Sequence, residues 1–443
     1  MTGQTEGAAP QDDFVMLGYV DLDGLMRGKY VSKAKFSSTL EKGTVFCQVV
    51  LGWDSRDALY ENTYTGWHNG FPDDAVRVVP DSRRTLPGDG RDFYLMEFSG
   101  DGAAICPRNL AGRMVERARE EGFSVLSGFE YEFYVFEETP ESAHQKGYRN
   151  LKALSPTTGG YSVLRSAVHH NLFDGMITLS KQLNTPLEAI HFEAGEGAME
   201  FALSPSEGLE SADRATIYKA FSKAWGQENN RMLCYMAKPM DGLPGCGGHM
   251  HMSLLKDGKP VFYDKDADDK LTETAHHFIG GQQKYMPELL AMIAPTINAF
   301  TRLAPGFWAP TGATWGFDNR TCSLRVVGDT AASRRVEFRP PAADANPYLV
   351  LSAAIASGLA GIRDRVEPTA PTRKNAYDAD IPDALKFPNS LAEAAARLRR
   401  SDMARQWFGD RFVDHFAASR DFEQAAARAA VSDWELTRYF EMI

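Results

Sequence analysis

The spacing of apolar residues divides the chain into a short β-rich part and a longer mixed part. The first part opens with two strand-like runs between Phe14 and Ser32, which flank an Asp23-Gly24 turn and predict a β-hairpin. Further strands are predicted over residues 45–54 and 92–98, and the first of these runs into a loop that holds Trp53 and Asp54. The pattern therefore predicts a small, mostly β domain over residues 14–105.

After residue 105 the apolar residues change to helical spacing. Cys106-Pro107-Arg108 opens a predicted helix, because proline is favoured in the first helical turn, and Leu110, Met114, Val115 and Ala118 follow at helical intervals. Strands are predicted over 124–138, 232–239 and 249–255, and helices over 162–183, 209–225, 289–303, 348–362 and 401–440. This alternation predicts an α+β fold, with a large second domain over residues 106–443 built around one mainly antiparallel sheet.

The stretch from Arg302 to Arg339 combines six arginines with a single glutamate, Glu337, among the last of them. Arginine is a rigid fork for carboxylates and phosphates, and six in one stretch would repel each other unless anions lie between them. A basic surface helix is the simpler interpretation, but the spacing of proline and glycine argues against a helix. In the final RVEFR, a strand would put Arg335, Glu337 and Arg339 on one face. The stretch therefore predicts a site for several negative groups, with a metal on Glu337.

Four strand-like stretches carry carboxylates or imidazoles at alternating positions or beside glycines. They contain, in chain order, Glu130 and Glu132, Glu193 and Glu200, His249 and His251, and Glu337. Carboxylates at close range cannot all stay ionised unless a cation lies between them, and oxygen-rich ligand sets select hard cations such as Mg²⁺ or Mn²⁺. Any one of these residues alone could be an exposed strand residue or a core histidine. Together they predict two metal ions beside an arginine cluster. Enzymes that transfer a phosphoryl group from ATP use this combination.

Standard nucleotide-binding loops do not account for this chemistry, since the sequence has neither a P-loop nor a G-x-G-x-x-G motif. The net charge of −11 argues against nucleic acid as a partner. Five cysteines without a C-x-x-C pair fit reduced thiols and predict a cytoplasmic protein. No apolar run reaches membrane-spanning length, so no membrane partner is predicted, and residues 1–13 are expected to be a disordered lead.

The chain resembles the glutamine synthetase family over nearly its whole length. The resemblance is carried by DGLMRGK, GFEYEF, HFEAGEGAMEF, RLAPGFWAP and, most specifically, HMHMSL and RRVEFRPPAADANPYL. It implies a small N-terminal β-grasp-like domain and a large catalytic domain whose sheet lines a metal funnel. In that family the funnel lies between adjacent subunits of stacked rings. The resemblance therefore implies a ring-shaped homo-oligomer, most simply a dodecamer, with sites shared between subunits.

The resemblance also implies a role for each candidate site residue. One metal would lie on Glu132, Glu193 and Glu200, and a second on Glu130, His249 and Glu337. Substrate glutamate would bind Arg302, Arg339 and Gly245, and Arg320 would stabilise the transferring phosphoryl group. His251, Ser253, Arg325 and Arg335 would contact ATP. In the implied chemistry, the γ-carboxylate of glutamate attacks the γ-phosphate of ATP, and a nitrogen nucleophile then displaces phosphate from γ-glutamyl phosphate.

Two departures from the family pattern concern the nucleophile. Ammonia-using members carry a glutamate directly after the aromatic residue of the RL-x-PG-aromatic motif, where this chain has Trp308. They also carry an aspartate in an FDGSS-like stretch, and the comparable stretch here offers only Asp54 as a substitute. An indole neither binds ammonium compactly nor accepts its proton, but its face suits an alkylammonium group. Trp308 is therefore predicted to contact the amine.

The prediction that follows is an ATP-dependent ligase that joins glutamate to a primary amine or polyamine. The segment from Trp315 to Arg320 resembles the γ-glutamylpolyamine synthetase branch of the family. Two alternatives stay open: a true glutamine synthetase in which Asp54 or Glu193 serves ammonia, and a non-catalytic structural or binding relative. Tyr377 resembles the tyrosine that some bacterial members adenylylate, although a lone loop tyrosine has no need of such a role.

Overall fold

The computed structural model describes residues 13–443, so all of the predicted disordered lead except Asp13 lies outside the described residues. The strands are β1 Phe14–Val20, β2 Met26–Ser32, β3 Thr44–Cys47, β4 Asp73–Val78, β5 Arg84–Thr85, β6 Asp92–Phe98, β7 Ser124–Phe136, β8 Leu187–Phe192, β9 Ala198–Leu203, β10 Ser206–Glu207, β11 Met232–Cys234, β12 Gly248–Lys256, β13 Lys259–Pro260, β14 Trp315–Phe317, β15 Leu324–Val327 and β16 Arg335–Phe338. The helices are α1 Lys33–Lys42, α2 Pro107–Glu120, α3 Pro140–Gln145, α4 Val163–Val168, α5 His170–Gln182, α6 Glu210–Glu228, α7 Glu273–Ile293, α8 Ile297–Arg302, α9 Pro347–Asp364, α10 Leu391–Arg400, α11 Asp402–Phe408, α12 Asp410–Ala429 and α13 Asp433–Tyr439. No helix among these residues is both long and apolar enough to cross a membrane.

A six-stranded sheet occupies the N-terminal part, in the order β2-β1-β6-β4-β3 with β5 beside β6. The predicted hairpin is present, because β1 and β2 pair in antiparallel fashion and Gly24 takes a positive φ of 80° in the turn. The predicted strand over 45–54 is wrong beyond Cys47, where the chain continues as a 3₁₀ turn over Gln48–Leu51. Val50 and Leu51 are both buried, and successive residues of a strand would face opposite sides of the sheet.

A ten-stranded sheet forms the centre of the larger part, in the order β14-β15-β16-β12-β7-β9-β8. Neighbouring strands are antiparallel except β14 and β15, so the prediction of a mainly antiparallel sheet is confirmed. The β-grasp-like character of the N-terminal part, the funnel and the division at residues 105–106 stay predictions.

Three predicted helices and one predicted strand differ from the structure. The helix predicted over 289–303 begins at Glu273 and is interrupted after Ile293, before Pro295, which has no N–H to continue it. Thr296 then caps a separate helix through its hydroxyl and the Ala299 N–H, 3.0 Å apart. The helix predicted over 162–183 is divided at His169, and the helical end divides at Gly409 and before Ser432. The strand predicted over 232–239 ends at Cys234, since the Asn298 side chain binds both backbone groups of Lys238.

A buried network of charges joins the N-terminal sheet to the helices of the larger part. Arg108 on α2 forms an ion pair with Glu97 on β6 and donates two hydrogen bonds of 2.9 Å to Asp213 on α6. The Tyr348 hydroxyl on α9 donates to the same aspartate at 2.6 Å. All four side chains are buried, so each charge depends on its partners for solvation.

Arg108→Met should lower the free energy of unfolding by about 3–5 kcal/mol, since it leaves Asp213 buried without its cation. Arg119→Met on the same helix is the matched control, because Arg119 and its partner Glu116 are exposed. Denaturant unfolding of both variants checks this, with little change expected for the control. Equal stability of the two variants would show that the buried network does not hold the two parts together.

Candidate active site

Five consecutive strands of the large sheet, β16, β12, β7, β9 and β8, bring ionisable side chains to one of its faces. The register sets His249 opposite Glu130, His251 opposite Glu337, and Glu200 between Glu132 and His191. Tyr131 and Phe133, which alternate with the glutamates of β7, are buried on the opposite face. Strand alternation is therefore what separates the charged face from the apolar core.

Two groups of three side chains on this face have ligand atoms close enough to hold a metal ion. Glu130, His251 and Glu337 form the first, and His191, Glu193 and Glu200 the second, with the ligand atoms of each group within 4.8 Å of one another. In the second group, His191 Nε2 lies 3.0 Å from Glu193 Oε1 and 3.4 Å from Glu200 Oε1.

These groups differ from the predicted metal sets by one residue each. His251 takes the place expected for His249, whose Nδ1 lies 3.1 Å from the Arg339 carbonyl oxygen and whose Nε2 lies 3.5 Å from Glu132 Oε1. His191 takes the place of Glu132, which accepts a hydrogen bond from the Gly247 N–H. The register places both histidines beside Glu130 and Glu337, but the ring of His249 is turned to the Arg339 carbonyl oxygen and Glu132, whereas His251 Nε2 lies 3.7 Å from Glu130 Oε2.

Burial and the neighbouring charges act differently on the carboxylates of this face. Burial, together with the negative charges of Glu130, Glu132, Glu193 and Glu337, raises the pKa of Glu200 to about 10. Burial also opposes ionisation of Glu337, but Arg339, the two histidines and Arg325 outweigh it and hold its pKa at about 2. A site with so much negative charge in one small volume fits divalent cations, which would let Glu200 ionise as well.

The charged face opens into two cavities that share Glu130. The larger, about 600 Å³, is the right size for a small ligand and is lined by the following predicted site residues: Glu130, Glu132, Glu193, Glu200, Gly245, His249, Arg302, Trp308, Arg320, Arg325 and Arg339. The smaller, about 270 Å³, is lined on the other side by His251, Ser253 and Arg335. The Ser253 hydroxyl is buried without a hydrogen-bond partner among the described residues. The structure thus brings together all the predicted site residues except Asp54.

The arginines of the site differ in their partners. Arg325 donates to Glu337 at 2.8 Å, and Arg339 pairs with the other oxygen of the same glutamate. Arg302 is buried, yet it bonds only to the carbonyl oxygens of Pro340 and Arg339, and no carboxylate of residues 13–443 lies within 4 Å of it. Burial lowers the pKa of Arg302. A buried cation without an anionic partner, facing a cavity, is suited to bind a carboxylate from outside the chain.

Trp308 lies in the loop between α8 and β14 and is 59% exposed at the larger cavity. Its φ of 60° is in the left-handed region, which is strained for a bulky side chain. The backbone is held there by the Arg339 guanidinium, 3.5 Å from the Trp308 carbonyl oxygen. The neighbouring Phe307 ring packs against the Lys238 ammonium, 3.9 Å from the ring centroid. The loop therefore presents the indole, and no carboxylate of its own, to the cavity.

Asp54 lines neither cavity, so the structure does not join it to the other predicted site residues. Its Oδ1 accepts hydrogen bonds from the backbone N–H groups of Arg56 and Ala58 at 2.8 and 2.9 Å, which closes a local turn. Arg27 binds its carbonyl oxygen at 3.1 Å.

Two residues of the site were missed by the sequence analysis. His191 is two residues before Glu193, and strand alternation could have found it as a member of the same face. Tyr161 lines the larger cavity and stacks on His191 with ring centroids 4.6 Å apart. No sequence pattern marked Tyr161, because it lies in an irregular segment with a positive φ of 59°.

Comparison with known proteins gives one consistent family. The model for the glutamine synthetase catalytic domain matches residues 104–439. The chain is 39% identical to type-1 glutamine synthetase 2 of Dictyostelium discoideum, 32% to a glutamate–isopropylamine ligase of a Pseudomonas species and 34% to a gamma-glutamylethanolamide synthetase of Streptomyces coelicolor. These alignments cover 97%, 97% and 98% of this chain and 84%, 95% and 94% of the relatives.

The fold agrees with this result. A solved GmaS complex with ADP superposes with a TM-score of 0.85 at 23% identity, covering 97% of both chains. The prediction that the chain is an enzyme is confirmed at the level of the family, whose members are ATP-dependent ligases that form C–N bonds. Matches over most of the chain by both sequence and structure leave one conclusion: this protein belongs to the glutamine synthetase family.

Proposed function

We propose that this protein is an ATP-dependent ligase that joins the γ-carboxylate of glutamate to a primary amine or polyamine. The products are a γ-glutamylamide, ADP and phosphate. The observation that carries the proposal is Trp308, an exposed indole on the wall of the cavity that also holds Glu193, Arg302 and Arg320. The names of two relatives, a glutamate–isopropylamine ligase and a gamma-glutamylethanolamide synthetase, support the same class of nucleophile.

The proposed glutamate subsite rests on Arg302, Arg339 and Gly245. Arg302 offers a buried guanidinium without an anionic partner, and the Nε of Arg339 is also unpaired among the described residues. At Gly245 a Cβ atom would lie 2.5 Å from the Ala237 carbonyl oxygen and 2.7 Å from Arg302 Cγ, so the position needs glycine. The α-carboxylate of glutamate would bind the guanidinium forks, which leaves its γ-carboxylate free to reach towards the phosphates.

Two divalent ions, Mg²⁺ or Mn²⁺, would be held on the charged face by Glu130, Glu132, Glu193, Glu200, His249 and Glu337, with His191 and His251 as further donors in reach. The chemistry that such ions supply is neutralisation of phosphate charge during transfer. Their fit is supported by the pKa of Glu200, which burial and then the charges of the neighbouring carboxylates raise to about 10.

The remaining predicted site residues would bind ATP and the phosphoryl group that it transfers, and would accept the proton of the amine. His251, Ser253 and Arg335 would contact ATP from the smaller cavity, where Arg335 Nε donates to His251 Nδ1 at 3.1 Å, and Arg325 would contact it from the larger one. Arg320 is exposed at the larger cavity without a carboxylate partner in the described part of the chain, so its charge is available to a transferring phosphoryl group. The proton of the incoming amine would go to Glu193, which accepts hydrogen bonds from His191 and the Ala194 N–H.

A true glutamine synthetase is the second candidate, favoured by the 39% identity to type-1 glutamine synthetase 2. The two candidates differ in the nucleophile alone. Phosphate release from ATP and glutamate, measured with Mg²⁺ and a panel of ammonia, short alkylamines and polyamines, separates them. Release that requires an alkylamine or polyamine supports the proposal, and release with ammonia alone supports the second candidate.

We also propose that the protein is cytoplasmic and that the chain forms a ring-shaped homo-oligomer, most simply a dodecamer, with active sites shared between subunits. The separation of Asp54 from both cavities of its own chain supports this, because a neighbouring subunit could then supply it. Analytical ultracentrifugation should give a mass about twelve times the 49.0 kDa of one chain. A monomer that retained full activity during sedimentation would contradict the shared-site proposal.

A further inference from the structure

We propose that Tyr377 is a positioning residue for the amine: its hydroxyl fixes the loop that carries Trp308, and the segment directly before Tyr377 is bonded to the turn that carries Arg320. The inference rests on the proposed function, since it concerns how the nucleophile side of that site is held. It assigns Tyr377 a role in the folded, unmodified enzyme, through hydrogen bonds that the sequence did not indicate.

The first contact joins Tyr377 to the residue directly after Trp308. The Tyr377 hydroxyl donates a hydrogen bond to the Ala309 carbonyl oxygen at 3.0 Å. Burial raises the pKa of Tyr377 above its ordinary value, so the phenol keeps the proton that it donates. Ala309 is 2% exposed, whereas Trp308 beside it is 59% exposed. The bond therefore anchors a buried residue of the loop, directly after the exposed Trp308 that lines the cavity.

The loop needs such an anchor because its conformation is not self-supporting. Trp308 has a φ of 60° and Gly306 a φ of 87°, and a bulky residue in the left-handed region relaxes unless neighbouring groups prevent it. Two side chains bind the carbonyl groups here, Arg339 at Trp308 and Tyr377 at Ala309. Arg339 also pairs with Glu337, whereas the hydrogen bond of the Tyr377 hydroxyl goes to this loop.

The second contact links the same segment to Arg320. Asn319 Nδ2 donates to the carbonyl oxygens of Thr372 and Lys374 at 3.0 and 2.8 Å, and the Ala376 N–H donates to Thr321 Oγ1 at 2.9 Å. The residues on either side of Arg320 are thus bonded to residues 372–376, directly before Tyr377. The segment 372–377 is therefore bonded both to the loop that carries Trp308 and to the turn that carries Arg320. A shift of the loop would be resisted by the turn, and a shift of the turn by the loop.

The test is Tyr377→Phe, which removes only the hydroxyl. The matched control is Tyr218→Phe, because the Tyr218 hydroxyl also donates to a main-chain carbonyl, that of Met176 at 3.1 Å, but lies in the core and lines neither cavity. The first readout is deuterium uptake of peptides that cover residues 303–311. The second is steady-state kinetics, with phosphate release and amide formation measured in the same sample.

For Tyr377→Phe we expect faster deuterium uptake in residues 303–311 and a rise of about 3- to 10-fold in the KM for the amine, the value of one hydrogen bond. The KM for ATP should stay constant, and more phosphate should be released per amide formed, as water reaches the γ-glutamyl phosphate. Unchanged uptake and an unchanged KM would overturn the inference, as would equal effects in Tyr218→Phe.

The products of the wild-type enzyme test the proposed function independently of the Tyr377 variant. If the wild type makes glutamine from ammonia and no amide from any amine, the proposed function is wrong. The same variants are then measured with ammonia, and the same changes in uptake, KM and phosphate release still decide the role of Tyr377.

Discussion

Glu337→Ala is expected to reduce phosphate release from ATP and glutamate by at least about 1,000-fold. Glu337 is fully buried, lies with Glu130 and His251 in a group of potential metal ligands, and pairs with Arg325 and Arg339. Removal of one carboxylate costs the charge stabilisation of a bound ion, worth several kcal/mol, and each 1.4 kcal/mol is a factor of ten in rate. Phosphate release at saturating ATP, glutamate and Mg²⁺ measures the effect.

Two further variants make this result specific. Glu337→Gln keeps the shape of the side chain and should be almost as inactive, which separates loss of charge from a cavity left by alanine. Glu207→Ala removes an exposed carboxylate from β10 of the same sheet and should retain the wild-type rate. Thermal unfolding of all three shows whether any loss of activity comes from loss of the fold. Near wild-type turnover in folded Glu337→Ala would show that the metal assignment is wrong.

Trp308→Glu is expected to exchange one nucleophile for the other. The indole face offers a cation–π contact to an alkylammonium group, worth roughly 1–2 kcal/mol at a partly desolvated site, or about tenfold in affinity. A carboxylate at the same place would offer ammonium an anionic site and a base for its proton. The KM for the amine should therefore rise about tenfold, and glutamine formation from ammonia should increase.

Trp308→Gln is the matched variant for this substitution, because glutamine has the size of glutamate without its charge. It should weaken amine use as much as Trp308→Glu does, but it should not improve ammonia use. Chromatographic separation of glutamine from the γ-glutamylamide measures both products. Wild-type amine kinetics in both variants would remove Trp308 from the amine site.

The sequence predicted those elements of the fold whose pattern is local. Alternation in GFEYEF and HMHMSL predicted β7 and β12, and Pro107 with its apolar helical spacing predicted the start of α2. The break between α7 and α8 was missed because both sides are apolar, although Pro295 marks it in the sequence and Thr296 then caps the second helix. The 3₁₀ turn after Cys47 was missed for a similar reason, since burial of Val50 and Leu51 is a tertiary effect.

Strand alternation predicted which site residues of one strand share a face of the sheet. Glu130, Glu132, His249 and His251 could be assigned to one face from their spacing, and the structure brings these side chains together. Which histidine lies nearest to which glutamate depends on pairing across strands, and spacing along one strand does not contain that information. The contact between Tyr377 and Ala309 joins residues 68 positions apart through irregular segments, where no periodicity exists to reveal it.

The identity of the nucleophile is the central claim, and a competition between nucleophiles tests it most directly. The wild-type enzyme is incubated with glutamate, ATP and Mg²⁺ in the presence of equal concentrations of ammonia and a primary amine or polyamine, and the products are identified by mass spectrometry. The account predicts that the γ-glutamylamide is the dominant product and that glutamine is a minor one. Dominant glutamine, with no amide formed from any amine tested, would contradict it.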